Sequence, residues 1–190
     1  MDLLKEFQIP SKNHHSAHVE HLCYDQNGTE IIILGLNLKH QNISPFGGLN
    51  GFLEGCPVES PMSTAIREYG EETLGALYPS DIIEERIQNA VNSGRCVRRV
   101  DSKGLIHWHF FIHDLIIRLQ SNIDRKFKIE LEKPDLPVEK KENCRLVMIS
   151  TDELKSMLIS QKNHNDDIFV QGYKLRPAYV TIFKQFYGVK

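Results

Sequence analysis

Nowhere in the chain do about 18 apolar residues run together, so no membrane-crossing helix is expected. The chain also lacks a charge excess. Its 23 Lys and Arg against 25 Asp and Glu give a formal net charge of -2, which excludes a broad basic surface for nucleic acid and leaves RNA contact only to a local patch. The four cysteines, Cys23, Cys56, Cys96 and Cys144, form no Cys-x-x-Cys pair, which favours reduced thiols over a disulfide framework or a zinc ribbon. Met1 to Pro10 has no long apolar run and does not read as a signal peptide, so the cytoplasm is the expected compartment. Internal repeats and low-complexity tracts are absent as well. What is present is ordinary globular composition: 190 residues, 41% hydrophobic and 25% charged, with a mean hydropathy of -0.35. That length and balance predict a single domain over residues 1–190 that can bury a full core.

Residues 17–24 and 30–38 flank Asp25-Gln26-Asn27-Gly28, and Asn-Gly between two such runs predicts an antiparallel hairpin. Ser44 to Gly55 is glycine-rich without apolar period and reads as a loop. A helix follows, capped by Ser60, with Pro61 in its first turn, Ala65, Ile66, Tyr69 and Thr73 at helical spacing, and Gly75 as its stop. Residues 81–92 predict a second helix, and 95–100 and 105–119 two strands around a turn. Lys126 to Lys141, with Pro134 and Pro137, reads as an exposed loop before a strand over 145–149. Ser150 then caps a helix running to about Gln161, a loop follows, and Pro177 to Tyr187 forms a closing helix. Elements in this order support a mixed α and β fold.

On the first helix, Glu68, Glu71 and Glu72 lie at i, i+3 and i+4, so their carboxylates share one face. Like charges at this spacing cost roughly 0.2 to 0.5 kcal/mol per pair, and acids near a helix carboxyl end oppose the macrodipole. A bound cation removes both penalties, and oxygen donors in this number suit magnesium or manganese. Arg67 stands four residues before Glu71 and can pair with it. For the three glutamates alone a solvated charged face is the plainer reading. The longer pattern Glu59-x7-Arg67-Glu68-x2-Glu71-Glu72 fixes five positions, and its chance occurrence in a chain of this length is on the order of one in ten thousand.

That pattern, preceded by Gly47-Gly48, resembles the signature of the Nudix hydrolases over residues 47–77, about a sixth of the chain. Three departures stand out. Leu53 occupies the position where the family has a glycine, as though about five residues were inserted after the Gly-Gly pair; Tyr69 replaces an aliphatic residue; and Leu74 precedes Gly75. The resemblance implies an α/β fold, a Nudix-like α/β/α sandwich with a mixed β-sheet. It implies that Glu68, Glu71 and Glu72 bind Mg2+ or Mn2+, with Glu68 the preferred general base, that Arg67 orients a carboxylate and that Glu59 supports the network. The carbonyl of Gly48 and an acid from a later loop, Glu142 before Glu139, are the further metal ligands implied.

The activity implied is cleavage of a phosphoanhydride bond in a nucleoside diphosphate derivative: a nucleotide sugar, an ADP-ribose-like compound or a dinucleotide. Removal of a messenger RNA cap is the alternative, and a catalytically inactive nucleotide-binding regulator is the rival from another class. Homodimers are common among relatives. Arg95, Arg98 and Arg99 surround a turn and are candidates to hold a polyphosphate or an RNA backbone, a solvated hairpin being the plainer reading. His107, His109 and His113 share a strand face, and His14, His15, His18 and His21 crowd the amino end. Zinc is an alternative to sheet-face and stacking roles for these histidines. Trp108, Phe110 and Ile112 on the opposite face, and Tyr179, Phe183 and Phe186 on the last helix, read as core.

Overall fold

A computed structural model describes residues 7–8, 15–37, 39–49, 59–114, 120–137, 143–161 and 167–189. By its contacts the chain divides into two compact units, residues 1–20 with 46–113 and residues 21–45 with 114–190.

In the first unit, strand β1 (His15–Tyr24) contributes its leading half, which pairs antiparallel with β4 (Phe46–Leu49) from Ser16 opposite Leu49 to Val19 opposite Phe46. Strands β5 (Cys96–Val100) and β6 (Ile106–Asp114) form an antiparallel hairpin, Cys96 opposite Phe110 and Val100 opposite Ile106, and β6 neighbours β1. Helix α1 (Pro61–Thr73) packs on β4 and on helix α2 (Ser80–Asn92). Its start is as the sequence predicts: the Ser60 side chain accepts from the Ser63 amide at 3.1 Å and Pro61 opens the first turn. Its end differs. Thr73 is the last helical residue, and Leu74 is already left-handed at φ 53° before Gly75 at φ 65°. A non-glycine residue in that conformation costs roughly 1–2 kcal/mol, which the Leu74 amide offsets in part by reaching back to the carbonyls of Gly70 and Glu71.

The buried residues of α2, Ile83, Ile87, Ala90 and Val91, follow the helical period. Tyr69 is fully buried and meets Phe46 edge-on at 5.4 Å, which explains an aromatic residue inside the acidic motif. Phe7 packs edge-on against Trp108 at 4.5 Å and Phe110 at 5.5 Å, so the apolar face of β6 is core.

In the second unit, the end of β1 and strand β2 (Glu30–Asn37) make the hairpin that Asn27-Gly28 predicts. Gly28 sits at φ 78°, and the Asp25 carboxylate accepts from the Asn27 and Thr29 amides at 2.8 Å each. β2 also pairs antiparallel with β7 (Asn143–Ser150) and with β3 (Asn42–Ser44), while β3 pairs parallel with β9 (Tyr173–Leu175), itself hairpinned to β8 (Phe169–Val170). The parallel pair makes the sheet mixed, and the chain is α/β. Helix α3 (Gln120–Leu131) packs on β7; helix α4 (Thr151–Ser160), capped by the Ser150 hydroxyl, packs on β2 and β7; and helix α5 (Pro177–Tyr187) packs on α4. Tyr179 and Phe183 are buried as expected.

Two segments depart from the sequence reading. The expected loop from Ser44 contains β4, because Phe46 is buried and the backbone of 46–49 finds β1 as partner despite the low strand preference of two glycines. The expected loop from Lys126 is helical to Leu131, anchored by Phe127, which is 1% exposed. Of the strand expected over 105–119, Ile106–Asp114 is strand, and residues 115–119 lie outside the described residues. β8 and β9 are too short to show an apolar period.

Candidate active site

Two acids of α1, Glu68 and Glu71, and Glu59 just before it meet one cation. Arg67 lays its guanidinium against Glu59 as a fork, Nε to Oε1 at 2.8 Å and Nη2 to Oε2 at 3.0 Å, and its Nη1 reaches Glu68 at 2.6 Å and Glu71 at 3.2 Å. Planar bidentate pairing of this kind fixes direction as well as charge, which a lysine at this position could not do. The hydrogen bond to Glu59 leads in pushing the Arg67 guanidinium above its ordinary range, so the charge is permanent. Side chains here are partly shielded: 17% exposed for Glu68, 24% for Glu59, 33% for Arg67 and 38% for Glu71. Arg67 Nη2 also donates to the Leu49 carbonyl at 3.3 Å, tying the helix to the end of β4.

The Gly47-Gly48 pair lies against the same helix face. The Gly47 amide donates to Glu72 at 2.7 Å, and a β-carbon on Gly48 would fall 2.6 Å from the Glu68 carboxylate. Glycine is required here by close approach, since a β-carbon on Gly47 would also collide with the Ala17 carbonyl and His18. The structure thus brings together Glu59, Arg67, Glu68, Glu71, Glu72, Gly47 and Gly48. Glu142 and Glu139 lie outside the described residues.

Arg98 stacks over Trp108 at 5.3 Å and Arg99 stands opposite His107, so these arginines are organised around the β5–β6 hairpin. Arg95 is half-buried where β5 begins. The expected histidine face is there but is bound into the sheet. His109 meets Glu20 at 2.6 Å and stacks on His18 at 4.9 Å, His18 meets Ser16 at 2.9 Å, and Ser16 meets His107 at 2.7 Å. Among the described residues no group of three or more His, Cys, Asp or Glu is drawn together as a metal centre, and no helix is long and apolar enough to cross a membrane.

Sequence reasoning missed Thr64 and His15. The Thr64 hydroxyl donates to Glu59 at 3.2 Å, and His15 Nε2 lies 3.2 Å from the same hydroxyl. The only sequence mark of Thr64 is its place between Glu59 and Arg67, and His15 lies 49 residues away from it.

No protein-family model matches the chain. No curated protein matches it either. Among solved structures the fold is similar to a Nudix hydrolase, RenU, from M. Smegmatis, at 11% identity and TM-score 0.47 over 93% of this chain and 84% of that one. It is similar to a NUDIX-family hydrolase from Clostridium perfringens, at 16% identity and TM-score 0.46 over 94% and 99% of the two chains. A mutT/nudix family protein from Listeria innocua is a third, at 14% identity and TM-score 0.45 over 94% of each chain.

Proposed function

We propose that this protein is a Nudix-type pyrophosphohydrolase, dependent on Mg2+ or Mn2+, that cleaves a phosphoanhydride bond in a nucleoside diphosphate derivative. The observation that carries the reading is the single guanidinium of Arg67 holding Glu59, Glu68 and Glu71 while Glu72 is tied to the Gly47 amide. Carboxylates on one exposed helix face need no such bracing to be soluble. Bracing serves a site whose oxygen atoms must keep fixed positions.

The donor chemistry fits the group the reading requires, although as they stand the helix carboxylates are engaged by Arg67 and the Gly47 amide and are not gathered as a metal centre. Glu68, Glu71 and Glu72 offer only hard oxygen atoms and would hold a divalent cation, with Gly48 adjacent to Glu68 at the edge of β4. When bound, that cation would supply charge neutralisation for the pyrophosphate and acidify a water. The chain's own residues then have separate tasks. Arg67 keeps Glu68 and Glu71 in register, Glu59 keeps Arg67 in register, and Glu68 takes the proton of the attacking water. The water oxygen bonds to phosphorus, the bridging P–O bond breaks, and the leaving phosphate carries away the bond's electron pair. In this reading Glu142 adds a further oxygen donor, and Arg95, Arg98 and Arg99 hold the phosphates of the substrate.

Glu72→Gln keeps an oxygen for the Gly47 amide while removing the charge. Turnover should fall at least about 100-fold, about 2.7 kcal/mol in barrier, with the melting temperature unchanged. Undiminished turnover in this variant would remove Glu72 from the site. A wild-type protein that binds nucleotides without turning over any of them would favour the regulator instead.

A further inference from the structure

We propose that His15 and Thr64 are positioning residues for the acidic site, forming a buried relay that fixes Glu59 and, through it, the Arg67 fork. This rests on the hydrolase reading for its catalytic consequence, but its geometry stands on the fold alone. Thr64 is fully buried on the first turn of α1, and His15 is 1% exposed at the start of β1. The Thr64 hydroxyl has one proton, which it gives to Glu59 Oε2 at 3.2 Å; an ionised carboxylate only accepts. Toward His15 the same oxygen can therefore only accept, so the proton between them sits on His15 Nε2, at 3.2 Å. One direction of donation runs from the strand to the acid: imidazole to hydroxyl, hydroxyl to Glu59.

The consequence lies in how firmly Glu59 is held. Its carboxylate is 24% exposed and precedes the helix, and the Arg67 fork engages both of its oxygen atoms. Thr64 adds a contact from the helix itself, and His15 holds the hydroxyl to that task from β1. With Oε2 shared between Thr64 and Arg67 Nη2, the carboxylate plane is set, and Arg67 Nη1 is aimed at Glu68 at 2.6 Å. Groups that orient ligand-bearing carboxylates in this indirect way typically matter about 10- to 100-fold in metal affinity or activity.

The test compares wild type with Thr64→Val, which keeps the side-chain shape without the hydroxyl, and Thr64→Ser, which restores it. In the metal-free protein, solvent exchange of the Arg67 Nε proton followed by NMR should be slow in wild type and Thr64→Ser and at least about tenfold faster in Thr64→Val. Mn2+ affinity by electron paramagnetic resonance and kcat should each fall about 10- to 100-fold in Thr64→Val, with KM near wild type and recovery in Thr64→Ser. His15→Phe, which keeps a ring but no N–H, should shift all three readouts in the same direction and serves if Thr64→Val does not fold. Equal Arg67 exchange in all variants overturns the relay, whether or not the protein is an enzyme. Slow exchange lost in Thr64→Val from a protein that hydrolyses no pyrophosphate keeps the relay and overturns the hydrolase reading instead.

Discussion

Glu20 and His109 face each other at 2.6 Å between neighbouring strands, both shut off from water, and each is pushed toward its neutral form. Burial raises the Glu20 carboxyl well above its ordinary value of 4.5 and lowers His109 from 6.5 to about 3. A neutral acid donating to a neutral imidazole satisfies both shifts. Glu20 Oε2 finds no partner among the described residues, which an ionised carboxylate could tolerate far less than a neutral one. The two groups tilt stability in opposite directions. For His109, the unfolded chain binds more protons between about pH 3 and 6.5, so its contribution is lost as pH falls through that range. For Glu20, the folded chain binds more protons above pH 4.5, so its contribution is lost as pH rises. Glu20→Gln isolates the second effect. The stability of wild type minus that of the variant, from urea unfolding, should decline as pH rises above about 5, at up to about 1.4 kcal/mol per pH unit. A difference independent of pH means that Glu20 is already ionised in the fold. Residue spacing could not announce this pair. It shows Glu71 to Arg67, which share a helix, whereas Glu20 and His109 meet only once β1 and β6 are neighbours.

The contact between β4 and α1 is the element on which the site depends. At Gly47 the neighbouring strand β1 comes too close for a side chain, and at Gly48 the Glu68 carboxylate lies where a side chain would go. Gly48→Ala should therefore displace Glu68 or push the strand from the helix. Because the atoms in the way are the end of a flexible side chain, the stability cost should be small, and the misplaced carboxylate should lower kcat about tenfold or more. Thermal unfolding and steady-state kinetics on one preparation check both; an alanine variant with wild-type stability and rate would show that Glu68 has room to spare. α1 itself was legible from sequence because cap, proline, apolar spacing and acids coincide within 16 residues from Ser60 to Gly75. β4 was not legible, since strand formation at Gly47-Gly48 is dictated by β1 and α1 and not by local preference. α3 was hidden by its charge: among its described side chains Phe127 is the one fully buried, and Ile129 is half exposed.

At the scale of the whole molecule, the order of elements predicted mixed α and β and the resemblance implied α/β, and the main hairpin, the helices at 61–73, 80–92, 151–160 and 177–187, and the strand over 143–150 lie close to their expected places. The parallel β3–β9 pair was beyond reach because strands of three residues carry no usable period. Net charge and composition say nothing of the leaving group, so substrate choice belongs to experiment. The central claim is that the acids of α1 direct water to a phosphoanhydride. Its most direct test incubates wild type and Glu68→Gln in 18O-water with Mg2+ or Mn2+ and ADP-ribose, nucleotide sugars, dinucleoside polyphosphates, NADH and capped RNA, reading product masses. The proposed chemistry predicts selective cleavage by wild type, one 18O atom in a single phosphate product, loss of the reaction with chelator, and at least about 100-fold slower turnover in Glu68→Gln. No cleavage of any compound with either metal, or cleavage that survives both chelator and Glu68→Gln, would contradict it.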